Sequence, residues 1–174
     1  MLLILPAVNA EAKEVSLVKG DAIRYMGYST HYYYVDGNLA FCLEPDMKSP
    51  GNGVYSASEL DPKSHLSKAM YYMYGGPGYE QYIKGSLTGG WGEDANAYCL
   101  THCVLSYIYD GCDQNSAAFK GLNADIASAV VMYADYVKNL PDIPDAELAF
   151  SENGLTAYYD PVSYTHLTLP TNSR

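Results

Sequence analysis

Apolar positions along the chain change period twice, and each change marks a new kind of element. Glu14–Val18 (EVSLV) reads as a short strand. Tyr32–Val35 and Leu39–Leu43 are runs of strand-forming residues on either side of Asp36-Gly37, the signature of a tight hairpin turn. Glu44-Pro45 ends the second strand, and Lys48–Gly53 (KSPGNG) is a loop by composition. From Asp61-Pro62-Lys63-Ser64 the period becomes helical. Leu66, Ala69, Met70 and Met73 make one stripe, stopped abruptly by Gly75-Gly76-Pro77-Gly78. Leu87–Gly92 is a glycine-rich loop, but it lacks the G-x-G-x-x-G order after a strand that a phosphate site requires. A second helix is predicted from Asp94 to about Asp110, with Ala95, Cys99, Leu100, Cys103, Val104 and Tyr107 at helical steps. A third is predicted from about Asn123, its N-cap, to Leu140; Ile126, Ala127, Val130, Val131, Tyr133, Val137 and Leu140 are its core stripe. Leu148–Phe150 and Leu155–Tyr159, joined by Glu152-Asn153-Gly154, predict another hairpin. Strands, then three helices, then strands make an α+β fold, an antiparallel and barrel-like sheet with a helical part inserted between its strands.

Composition narrows the function. The 174 residues carry 10 Lys and Arg against 20 Asp and Glu, a net charge of −10, which excludes a phosphate-neutralising nucleic-acid binder and a polybasic membrane-surface protein. With 48% hydrophobic and 17% charged residues the chain can bury a core. No internal apolar run is long enough to span a bilayer, so the chain is not expected to be integral to a membrane. Nineteen tyrosines against three phenylalanines suit a secreted protein with adhesive surfaces, although alternate members of the clusters Tyr32–Tyr34 and Tyr71–Tyr82 are expected to fill the core. The scattered Asp110, Asp113, Asp125, Asp135, Asp142 and Asp145 lack the D-x-D-x-D-G order of a calcium loop.

Both ends stand apart from the central stretch. Residues 1–12 read as the back half of a secretory signal peptide: Leu2–Val8 is apolar, and Ala10-Glu11-Ala12 is an A-x-A cleavage site. Val162–Thr171 (VSYTHLTLPT) resembles one reading frame of a transposon-type sequencing-library adapter, so residues 162–174 are expected to be non-native. The module is then residues 13–161, truncated at its C-terminal end.

Two segments hold residues suited to chemistry, Ala40–Pro45 (AFCLEP) and Tyr98–Tyr107 (YCLTHCVLSY). In Phe41-Cys42-Leu43 and Thr101-His102-Cys103-Val104-Leu105 the chain resembles the thioester domains of Gram-positive surface adhesins. Those domains carry an aromatic-Cys-apolar motif on an early strand and a Thr-Gln-x-Ala-type motif on a later helix. The Glu44-Pro45 and Ser49-Pro50 loop and Lys68–Tyr79 (KAMYYMYGGPGY) support the resemblance, which covers most of Phe41–Gly111. It implies an exported module on a cell surface or cell wall, attached through a region beyond residue 161. It further implies a protein or surface ligand on a host or neighbouring cell as partner, and no cofactor or metal. The family's thiol and carboxamide condense with loss of ammonia into a buried internal thioester, which one amine then attacks.

The residue at the expected Gln position is His102, which has no acyl carbon, so Cys42 and His102 cannot form a thioester. The only glutamines are Gln81 and Gln114, outside the motif. Three readings follow. The module binds its target non-covalently; or it is a covalent adhesin with Cys42 joined to a non-motif glutamine; or Cys42 and His102 form a thiolate–imidazolium pair, as in thiol hydrolases and transpeptidases. Cys42 and His102 are the candidate reactive residues, with Phe41, Leu43 and Thr101 supporting the motif. The four cysteines allow a Cys103–Cys112 disulfide that would staple the second helix to its following loop. A Cys₃His metal set of Cys99, His102 and Cys103 completed by Cys42 or Cys112 is a further pattern, although C-x₂-H-C is not a standard zinc spacing and no metal is expected.

Overall fold

The computed structural model describes residues 13–25, 28–143, 156–160 and 165–168. Residues 1–12, the expected signal segment, lie outside it, as do Leu148–Phe150 and Glu152–Gly154 of the last expected hairpin. Six strands form a closed antiparallel barrel: β1 (Lys13–Tyr25), β2 (Tyr28–Val35), β3 (Asn38–Cys42), β4 (Gly53–Glu59), β5 (Thr156–Asp160) and β6 (Thr165–Thr168), in the order β1-β2-β3-β5-β6-β4. Between β4 and β5 the chain makes α1 (His65–Tyr72), α2 (Tyr79–Tyr82), α3 (Asp94–Tyr109), α4 (Ala117–Lys120) and α5 (Ala124–Lys138), with a 3₁₀ turn at Lys84–Ser86. The α+β expectation holds: α1, α3 and α5 are the three predicted helices, inserted between strands of one sheet. Thr165–Thr168, in the stretch expected to be adapter translation, pairs with both β4 and β5; its threonines are β-branched and suit a strand whatever their origin.

Local chemistry explains the elements that were read correctly. Asp36 and Gly37 both have positive φ, 49° and 81°, which is the twist a two-residue turn needs to join β2 to β3. The Ser64 hydroxyl accepts from Ser67 N at 3.1 Å and caps α1, while Asn123 Oδ1 accepts from Ile126 N at 2.9 Å and caps α5 as expected. After α1, Gly76 sits where a Cβ would clash with the Met70 and Tyr71 carbonyl oxygens, so this turn accepts only glycine.

Three differences have physical causes. Strand β1 runs on past Val18 to Tyr25, through a register shift between Lys19 and Ala22 where Gly20-Asp21 interrupts the alternation. Strand β4 was not anticipated, because Val54 is its exposed residue at 67% and the small Ala57 its buried one at 2%. The helices α2 and α4 are four residues each, too short to show a period.

Strand alternation sorts the core into two clusters. Val15, Leu17, Tyr33, Val35, Ala40, Cys42 and Ala57 fill the barrel. Phe41, the neighbour of Cys42 on β3, points the other way and joins Leu43 and the helices in the larger cluster. Helix α3 is enclosed on every side, with Ala97–Ile108 all buried; it packs on α1 and α5 and lies across β1, β2 and β3. Tyr98 is the main tie. Its ring stacks on Phe41 at a centroid distance of 4.7 Å, and its hydroxyl reaches the His31 carbonyl on β2 at 2.9 Å and the Ala40 carbonyl on β3 at 2.8 Å. Replacing Tyr98 by Phe keeps the ring and strips both carbonyls of their partner. The expected cost is about 1–3 kcal/mol, read as a lower urea midpoint with unchanged denaturant slope.

Candidate functional site

The two motifs meet where α3 crosses the barrel. Strand alternation turns the Cys42 side chain inward from β3, and Cys42 is 4% exposed. Its thiol donates to the Glu44 carbonyl at 3.7 Å, held by the turn that follows the strand. His102 lies one helical turn after Tyr98 and one before Ser106, and it is 1% exposed. Its Nδ1 is 3.1 Å from Thr30 Oγ1 on β2. Ser106 Oγ donates to the Cys42 carbonyl at 3.4 Å. Residues 98, 102 and 106 therefore form one polar line along the buried helix, each bound to a barrel strand or to its end. Tyr28 packs edge-on against the His102 ring, with centroids 5.6 Å apart.

Cys42 and His102 line the same cavity, of about 180 Å³, together with Thr30, Tyr28 and Tyr33. They share it without bonding to each other. Cys42 engages Glu44, His102 engages Thr30, and the His102 Nε2 is buried with no hydrogen-bond partner. The ring is thus held through one nitrogen, and leaving the other buried without a partner costs about 1–3 kcal/mol.

Burial moves the two groups in opposite directions, since low dielectric disfavours whichever form is charged. It lowers His102 to about 3 and raises Cys42 to about 11. Both are neutral at physiological pH, so the arrangement has neither the hydrogen bond nor the charge state of a thiolate–imidazolium pair.

The remaining motif residues have packing roles. Thr101 Oγ1 accepts from Tyr74 N at 3.2 Å and fixes the turn after α1. Phe41 and Leu43 sit in the helix-facing core, 2% and 0% exposed. Gln81 and Gln114 are exposed, and neither lines the cavity, so the covalent alternative through a non-motif glutamine finds no partner at Cys42. The Cys103–Cys112 disulfide is not formed; all four thiols are free. Cys103 is buried in the helix-side core near Tyr28, and Cys112, half-buried after the helix end at φ 61°, packs against the same core. The Cys₃His set does not assemble, and no three metal-ligating side chains converge among the described residues. Thr30, Tyr98 and Ser106 were not singled out from the sequence. The four-residue spacing of Tyr98, His102 and Ser106 was the available sign, hidden because every face of α3 is buried.

Neutral burial of His102 gives a pH dependence of fixed sign. The unfolded ring binds a proton below its ordinary 6.5, while the folded ring does so only near 3. Between those values the unfolded state holds more protons, so stability falls as pH falls, by about 1.4 kcal/mol per pH unit for this group. Urea midpoints of the wild type and His102→Gln, measured at pH 7 and pH 5, should differ more at the lower pH, with the wild type losing more.

A family model described as a thioester domain matches residues 14–144, spanning β1 to the residues just past α5. No curated protein and no solved structure matches the chain. Among the described residues no helix is long and apolar enough to cross a membrane. The match takes in both motif segments, the barrel strands β1–β4 and the helix that brings the motifs to one cavity, and by it the chain belongs to the thioester-domain family.

Proposed function

We propose that this chain is an exported surface-adhesion module that keeps the thioester-domain architecture and recognises its target without a covalent bond. The observation that carries the reading is His102, which occupies the cavity beside Cys42 and offers no acyl carbon for the thiol. The exposed positions of Gln81 and Gln114 support it, since no carboxamide stands in for the missing one. The neutral state of Cys42 and His102 supports a binding role over a thiol hydrolase or transpeptidase, because attack requires the thiolate. Export is supported by the apolar start and A-x-A site of residues 1–12, and surface adhesion by membership of the family. The partner is then a protein or surface ligand of a host or neighbouring cell.

Intact mass of residues 13–161, with and without methylamine and a thiol-alkylating reagent, tests the reading. The expected mass is that of the sequence with free thiols, unchanged by methylamine, with Cys42 resisting alkylation until the protein is unfolded. A mass short by one ammonia, with methylamine adding on treatment, would establish a covalent adhesin instead. Adhesion of the purified module to cells should also survive Cys42→Ala. His102→Gln supplies the carboxamide at the motif position. It is expected to yield a fraction of molecules lighter by one ammonia, and those molecules should take up methylamine.

A further inference from the structure

The cavity that holds Cys42 and His102 has walls of an unusual kind. Ala22, Ser29 and Ser49 are exposed and mark its mouth, while Tyr33, Cys42 and His102 are buried at its floor. Ligand pockets are ordinarily lined by apolar side chains with a few polar ones. Here only Ala22 and Pro45 are purely apolar among the lining residues. The others bring hydroxyls, two imidazoles and a thiol, and none is a carboxylate, a lysine or an arginine. In a chain of net charge −10, an uncharged hydrogen-bonding pocket is a distinct feature.

Size and chemistry limit what fits. A volume of about 180 Å³ exceeds the roughly 150 Å³ of an engineered apolar cavity that takes one benzene, so the space suits one six-membered ring with substituents. A hydrocarbon ring would leave the buried His102 Nε2 without a partner, as it is now, and would take the exposed hydroxyls of Ser29 and Ser49 out of water. An ion would meet no charged side chain among the residues that line the cavity, and burying an unpaired charge is costly. A neutral ring bearing several hydroxyls matches both the volume and the donors and acceptors. We infer that this cavity is a binding site for a single neutral sugar ring. The inference rests on the non-covalent reading above and supplies the ligand class for the same site.

Backbone amide spectra of the full chain, titrated with neutral monosaccharides and with their methyl glycosides, test the assignment. Saturable shifts at millimolar concentration, centred on Ser29–Tyr33, Cys42 and Ser49, are the expected result. Binding of the methyl glycosides points to a glycan terminus, whereas binding of the free sugars alone points to a soluble sugar. Ala22→Trp places a large side chain at the exposed mouth and should abolish the shifts while leaving the rest of the spectrum folded. Ser49→Ala, a milder change at the exposed rim, should weaken binding severalfold. Absence of saturable shifts with every neutral sugar, equal shifts with glucuronate, or shifts that persist in Ala22→Trp would overturn the assignment. Cell adhesion of the same preparation separates the two claims. Adhesion without sugar binding would end this inference alone, and absence of adhesion would end the reading beneath it.

Discussion

The crossing of α3 over the barrel depends on three polar side chains spaced one helical turn apart. Tyr98 binds carbonyls on β2 and β3, His102 binds Thr30 on β2, and Ser106 binds the carbonyl of Cys42 where β3 ends. An apolar interface alone would leave the helix free to slide along its axis, because hydrophobic burial is non-directional. Hydrogen bonds to fixed carbonyls set the register. Register in turn decides which α3 residue faces Cys42. A shift of one residue would bring Thr101 or Cys103 to that place and remove His102 from the cavity.

Around this contact the interior divides by strand alternation. Cys42 belongs to the barrel and Phe41 to the helical core, although they are adjacent in sequence. Phe41 stacks on Tyr98 and so secures the same crossing from the other side of the strand. The aromatic-Cys-apolar motif thus has a physical reason: the residues on either side of the cysteine pack against the helix, and the cysteine turns into the barrel. Many tyrosines serve the same packing. Tyr33, Tyr72 and Tyr79 are buried, and Tyr32, Tyr71, Tyr74 and Tyr82 are half-buried and packed against the core.

Desolvation makes the site neutral. It holds the Cys42 thiol protonated and the His102 ring unprotonated, and it would do the same to any weakly ionising group placed there. Such a site favours uncharged bonds and uncharged ligands over ion-pair catalysis. With glutamine at position 102 the same dryness would protect a thioester from water. With histidine it leaves a buried ring whose second nitrogen has no partner.

The α+β class, the Asp36-Gly37 hairpin, the caps at Ser64 and Asn123 and the three long helices were legible in the chain itself, because turns, caps and amphipathic stripes are local signals written within a few residues. The candidate residues Cys42 and His102 were legible for the same reason, each lying in a short motif. Their relation was not. Sixty residues separate them, and only the packing of α3 on β2 and β3 places both in one cavity while binding them to Glu44 and Thr30. Sequence spacing left open a Cys103–Cys112 bridge, and in the fold both thiols are free. Strand β4 and the far half of β1 also waited on tertiary structure, since an exposed valine and a register shift obscure the alternation that would announce them. Charge state was likewise decided by the fold, because the pKa of a thiol or an imidazole depends on how much water surrounds it, and no local pattern records that.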